Sequence, residues 1–243
     1  YPDFGDHIPF VFILEGLFFK VFGSSYTSAR IFSGLFSLMT MVGIYQFLKP
    51  KSKTWAFYAS FLFLIIPPLL KKTRFPSLDT PMMLFSFLSL YFFYEYTKDR
   101  SLKMALLSGA MWGACLLCKG PIAFFVPLAS FIYVVLIKRY DIFTSWKSYL
   151  IAVVGVSIFT IWPLCLYMTG NIEVFYKYVN TTFIHTAKNS RGKVNPEYFA
   201  YFFFLFKQTL PWLILSFLSA KYYLKKKDNQ VLLATISFFS LII

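Results

Sequence analysis

The sequence predicts an all-α polytopic membrane protein, with seven complete spans, a truncated eighth and an interfacial helix near the N-terminus. Three observations lead there. The 243 residues are 58% hydrophobic and only 14% charged, with 32 Phe and 17 Tyr, more apolar surface than a soluble core of this size could bury. Apolar runs at 28–48, 54–70, 80–96, 101–118, 121–137, 149–169 and 198–220 are each about 17–23 residues long, which suits a hydrocarbon core of about 30 Å. The short connections between runs alternate between strongly basic and mixed composition, as loops on opposite sides of a bilayer do.

In chain order, residues 1–27 hold YPDFGDHIPFVFILEGLFFKVFG, whose apolar part is too short for a span and is interrupted by Glu15 and Lys20. That pattern predicts a helix lying in the membrane interface. The next two spans are joined by KPKSK, the following pair by KKTRFPSLDTP, and spans 101–118 and 121–137 by the two residues Lys119 and Gly120 alone. A longer connection at 170–197 precedes the run 198–220. The last run, 231–243, stops in mid-pattern, and the chain opens at Tyr1 without an initiator Met or a signal peptide, so an excerpt of a longer protein is expected. All of 1–243 reads as one transmembrane domain.

Charge orients the bundle. Loops 49–53, 97–103, 138–148 and 221–229 carry most of the Lys and Arg, whereas 1–27, 71–78, 119–120 and 170–197 carry fewer in about twice the length. Density of Lys and Arg in short loops marks the cytoplasmic side, so the second set is expected to face the periplasm. The net charge of +14 is thereby a topology signal, and no nucleic-acid partner is needed to explain it. Cys115, Cys118 and Cys165 lie inside spans, where packing is the expected role; the Cys115–Cys118 pair lacks the βαβ setting of a redox motif.

The outer loops, with Asp79 at the edge of 71–78, hold both histidines and six of the ten acidic residues, with the Pro-rich turns GDHIPF, RFPSLDTP, KGP and KVNPEYF. In KKTRFPSLDTP, Asp79 is placed to cap the returning helix or to orient a site, and Lys71, Lys72 and Arg74 are cations on the side where topology disfavours them. Lys119 sits at the tip of an apolar hairpin. Snorkelling to the interface would account for it. A phosphate contact would too, since Gly120 admits close backbone approach and Pro121 opens the next helix. Residues 170–211 gather Asn180, His185, Arg191, Asn195, Glu197 and Tyr198, which suit either an aromatic belt or a carbohydrate site. No cofactor is demanded. Asp3, Asp6 and His7 would suit a divalent metal, and Asp6 with His185 is the pair assigned to one.

Taken in order, GDHIPFVFILEGLFFKVFG, ARIFSGLFSLMTMVGIY, TRFPSLDTPMMLFSFLSLYFF, GACLLCKGPIAFFVPLA, PEYF and LPW resemble the GT-C membrane glycosyltransferases, in particular lipid A aminoarabinose transferases and bacterial relatives of protein O-mannosyltransferases. The resemblance implies a GT-C helical bundle, a polyprenyl-phosphate sugar as donor, a lipid or protein as acceptor, membrane lipids as partners, and a site on the periplasmic face of the bacterial inner membrane. It places the catalytic carboxylate in an acidic motif after a first span, both of them ahead of Tyr1. The family's Lys-Pro-Pro or His-Pro-Pro stands here as His7-Ile8-Pro9. Asp6 matches a supporting acidic position, and Asp79 matches a Leu-Asp of the second outer loop. Lys119 and Arg74 become the expected donor-phosphate ligands, and His7, Asn180, Arg191 and Tyr198 the expected substrate contacts. Sugar transfer requires an aligned or deprotonated acceptor hydroxyl and a leaving phosphate whose charge is neutralised. The rival is a transporter or flippase of a lipid-linked or anionic substrate, for which midplane polar groups and internal repeats would be the signature.

Overall fold

The computed structural model describes residues 7–65, 70, 72, 75–185, 229 and 232, with backbone alone at 183–185; Asp6, Arg74, Arg191, Tyr198 and the run 198–220 lie outside the described residues. Among those described there is no strand. The helices are α1 (Phe10–Phe22), α2 (Tyr26–Leu48), α3 (Lys53–Ile65), α4 (Asp79–Asp99), α5 (Leu102–Lys119), α6 (Phe125–Leu136), α7 (Trp146–Met168) and α8 (Ile172–Val179). Each of the six spans expected before residue 170 is thus helical over its described residues, the second as far as Ile65.

Amphipathicity does not order this bundle, because lipid is as apolar as the core. Small residues and satisfied hydroxyls do. Helix α5 lies at the centre, against α4 on one side and α7 on the other. Gly109 and Gly113, one turn apart on α5, meet α7 so closely that a Cβ at Gly113 would lie 2.7 Å from Ile158 Cβ and 2.9 Å from the Gly155 carbonyl. On the opposite face Ser89 Oγ donates to the Ser108 carbonyl (2.9 Å) and Ser108 Oγ to the Ser89 carbonyl (3.0 Å), a reciprocal pair that locks α4 to α5. Helix α2 packs on α4 through Gly43, which leaves room for the Phe87 ring. The outward faces stay apolar: Ile31, Leu35 and Val42 on α2, and Val153, Val156, Ile161 and Leu164 on α7, are all exposed. Such faces fit a hydrocarbon solvent, and the protein is an integral membrane protein.

Among the described residues, three stretches are long and apolar enough to cross a membrane by length and composition: Tyr26–Leu48, Leu102–Leu136 and Trp146–Met168. The second is a hairpin. Trp112 Nε1 donates to the Ala123 carbonyl (3.0 Å), and its ring meets Phe124 edge-on, which requires the chain to reverse between them. The reversal is made at Gly120, with φ +58, followed by a 3-10 turn over Gly120–Phe124. Pro121 therefore opens that turn; the α-helix expected to start there starts at Phe125. Helix α4 is long enough to span but is more polar, with buried Thr80, Ser86, Ser89 and Thr97, because it is enclosed by α2, α5 and α6.

The hairpins leave two ends. At one, Asp79 opens α4 and Lys119 closes α5. At the other, Arg100 and Arg139 both pair with Asp141, and Lys147 Nζ donates to the Arg100 carbonyl (2.8 Å). The described connections expected to be cytoplasmic, 49–53, 97–103 and 138–148, share this second end.

Candidate active site

The N-terminus of α4 and the C-terminus of α5 meet side by side. Each helix end carries the charge that its own dipole favours, an acid at the first and a base at the last. Lys119 Nζ donates to Asp79 Oδ1 (2.5 Å), and Lys72 Nζ donates to Asp79 Oδ2. Asp79 is 19% exposed at its side chain, Lys119 34% and Lys72 54%, so the carboxylate is the buried member and the ammonium groups border solvent. Burial by itself would raise the Asp79 pKa; the hydrogen bonds and charges of Lys119 and Lys72 outweigh it and hold the carboxyl below its ordinary value.

Asp79 does not cap its helix through its own side chain, as one reading of the sequence expected. It is the first residue of α4. Its N–H donates to Ser77 Oγ (3.2 Å), and that hydroxyl is 3.3 Å from Asp79 Oδ2. Ser77 supplies the local turn, and Asp79 Oδ2 accepts from its hydroxyl as well as from Lys72 while Oδ1 takes Lys119. Ser33 of α2 fixes the loop from below by accepting from the Ser77 N–H (3.2 Å).

The turn that presents Lys119 is gripped from the far side. The Tyr178 hydroxyl of α8 occupies the space a Cβ on Gly120 would fill. Tyr178 is buried with Ile8, Leu117 and Trp162, and its ring meets Trp162 edge-on at 5.2 Å between centroids. Ile8, which stands where the resembled family has a proline, is only 1% exposed and packs into this cluster. The N-terminal turn, the α5–α6 reversal and α8 therefore converge on one end of the bundle.

The other expected site residues divide as follows. His7 is exposed, adjacent to Ile8, with its ring 6.5 Å from Phe12. Asn180 opens a π-turn over Asn180–His185 that continues α8 at this same end. Asp6, Arg74, Arg191 and Tyr198 lie outside the described residues, as does the side chain of His185, so the expected pairing of Asp6 with His185 does too. Among the described residues no three His, Cys, Asp or Glu side chains gather as a metal site would require. Cys115 and Cys118 are buried and unbridged, as packing residues would be.

Sequence reasoning passed over three participants. Lys72 was visible only as one of several cations near Asp79. Arg30, near the start of α2, lies over the Tyr26 ring at 4.2 Å and the Phe75 ring at 5.9 Å, a contact without a sequence signature. Tyr178 had no signal beyond its place in an aromatic-rich segment.

This end can hold an anion. Two ammonium groups share one carboxylate, leaving a surplus positive charge beside an apolar bundle surface, the arrangement suited to a phosphate on a lipid tail. No curated protein and no solved structure matches the chain. Residues 6–163, which run from the N-terminal turn through Asp79 and Lys119 into α7, match the family described as dolichyl-phosphate-mannose-protein mannosyltransferase, and the chain belongs to that family of membrane glycosyltransferases.

Proposed function

We propose that this chain forms the donor side of an enzyme that transfers a sugar from a polyprenyl-phosphate carrier to an acceptor at the periplasmic face of a bacterial inner membrane. The observation that supports it most directly is the meeting of Lys119 and Lys72 on Asp79 at the end of the bundle away from the basic loops. The family's description favours a mannose-like hexose and a protein acceptor. A pentosyl unit and a lipid A-like acceptor are the other members of the same reaction class.

In this reading Asp79 holds the two ammonium groups in place until the donor phosphate arrives. The phosphate then takes hydrogen bonds from Lys119 and Lys72, with Arg74 as a further ligand. As the glycosidic C–O bond breaks, negative charge grows on the leaving polyprenyl phosphate, and fixed cations stabilise that charge more than they stabilise the ground state. Asp79 is a poor base, since the two lysines hold it ionised at low proton affinity, and its role is positioning. Asp6 is a supporting acid. His7, Asn180, Arg191 and Tyr198 serve the sugar and acceptor, and Asp6 with His185 is the pair that would take a divalent metal.

The test is transfer by the full-length protein in nanodiscs, with polyprenyl-phosphate mannose radiolabelled in the sugar and either a Ser/Thr peptide or lipid A supplied. Label appearing in the peptide supports the protein-acceptor reading, and label in lipid A moves the acceptor to the lipid class. Failure to consume any polyprenyl-phosphate sugar overturns the proposal.

A further inference from the structure

A cavity of about 350 Å³ lies between α4, α5, α6 and α7, reaching from Trp112 and Val126 below the Lys119 hairpin to Ser148 at the end opposite Asp79. Its wall is apolar, with Phe93, Trp112, Val126, Phe131, Phe143 and Ile151 facing it. At about 30 Å³ for each water-sized group it would hold roughly a dozen, the bulk of one hydrocarbon chain. Phe131 is 55% exposed, so the cavity opens sideways onto the lipid-facing surface.

The basic end of this cavity is wired to a cationic cluster. Ser148, on the wall, hydrogen-bonds the Tyr96 hydroxyl (2.9 Å), and that hydroxyl is 3.5 Å from Arg100 Nη1. Arg100 and Arg139 both donate to Asp141, which is 56% exposed. Arg139 also donates to the Thr97 carbonyl (3.4 Å), so it stands over the end of α4. One carboxylate holds two guanidinium groups side by side without neutralising both, and each keeps N–H groups beyond those it spends on Asp141, Tyr96 and Thr97. Exposed Lys103 and Lys138 adjoin the pair in sequence.

We propose that the cavity seats one acyl chain of an anionic glycerophospholipid whose headgroup phosphate is held by Arg100 and Arg139. An apolar slot alone would accept any chain. The paired guanidinium forks at its end select the headgroup, because they match the oxygen geometry of a phosphate and carry the surplus charge it needs. The site is separate from the Asp79–Lys119 end and does not depend on the function assigned to it. Bound there, the lipid would brace the 137–148 connection against α4 and α5.

Trp112 on the cavity wall provides the reporter. The full-length protein would be placed in nanodiscs with phosphatidylcholine or phosphatidylglycerol brominated on the acyl chains, and the Trp112 emission taken as wild type minus Trp112→Phe. The expected result is quenching by brominated phosphatidylglycerol at a lower mole fraction than by brominated phosphatidylcholine, by about fivefold for each basic residue engaged. Arg100→Gln with Arg139→Gln should bring the two lipids together, while Arg139→Lys, which keeps the charge and loses the fork, keeps part of the difference; circular dichroism checks that each variant folds. Equal quenching by the two lipids overturns the headgroup assignment. Emission that neither lipid quenches shows that polypeptide fills the cavity and overturns the whole proposal. If Trp112→Phe does not fold, native mass spectrometry of wild-type protein extracted from mixed vesicles decides: one retained phosphatidylglycerol, lost in the double Gln variant, supports the site, and none retained overturns it.

Discussion

Lys119 and Asp79 are 40 residues apart in the chain and bonded to each other, Nζ to Oδ1 at 2.5 Å, across the meeting of two helix ends. The pair sits where two arms of a helical packing unit open toward the same membrane surface. The Ser89–Ser108 hydrogen bonds, lower down the same two helices, fix their relative height and so hold the pair in register.

Replacing Lys119 by Ala in the full-length protein should lower sugar transfer by about 10²- to 10³-fold, the usual effect of removing one donor that stabilises charge in a transition state. Thermal stability should fall by about 1 kcal/mol or less, since Lys72 remains on Asp79 and the lost ammonium was partly solvated. Transfer rate per folded molecule is the quantity to measure. Turnover at the wild-type level would return Lys119 to interfacial snorkelling.

Asp79→Asn should reduce stability at neutral pH by an amount that disappears in acid. The folded pKa of Asp79 is depressed, so its contribution is fully present above the unfolded value of about 4 and is lost as pH falls through the folded value. Melting curves of wild type and variant should converge below about pH 4. A difference that persists in acid would point to lost packing instead of lost charge.

Gly120→Ala should be destabilising on two separate grounds. A positive φ of 58° is costly for a residue with a Cβ, about 1–2 kcal/mol, and that Cβ would collide with the Tyr178 hydroxyl. Combining it with Tyr178→Phe should recover the second part and leave the first, a coupling that a double-mutant cycle on melting temperatures would read. Simple additivity would mean that α8 does not grip the turn.

Gly113→Leu should separate α5 from α7 and abolish extraction of a folded monomer, because the space for a side chain is taken by Ile158 and the Gly155 backbone. Gly34→Leu on α2, where a Cβ meets nothing within 4 Å, is the matched control and should extract normally.

The fold class was fixed by hydropathy, because a bilayer imposes a length on every span and a helix is the form in which an apolar segment satisfies its own backbone. The spans before residue 170 follow from that alone, and the basic loops 49–53 and 138–148 declare which connections go together by the charge asymmetry of membranes. Sequence could also mark Asp79 and Lys119 as odd, since each is a charge at the edge of an apolar run. What it could not supply is that they touch. That depends on the rotation and height of α4 against α5, set by Ser89 and Ser108, residues whose small size leaves no periodic signal. The same holds for Lys72, which belongs to a cationic run until the Ser77 turn delivers it to Asp79, and for Tyr178, whose position against Gly120 exists only once α8 has folded over the end of the bundle. Hydrophobicity acts on each segment separately and is legible in one dimension; interdigitation and ion pairing act between segments, and only the tertiary structure decides them.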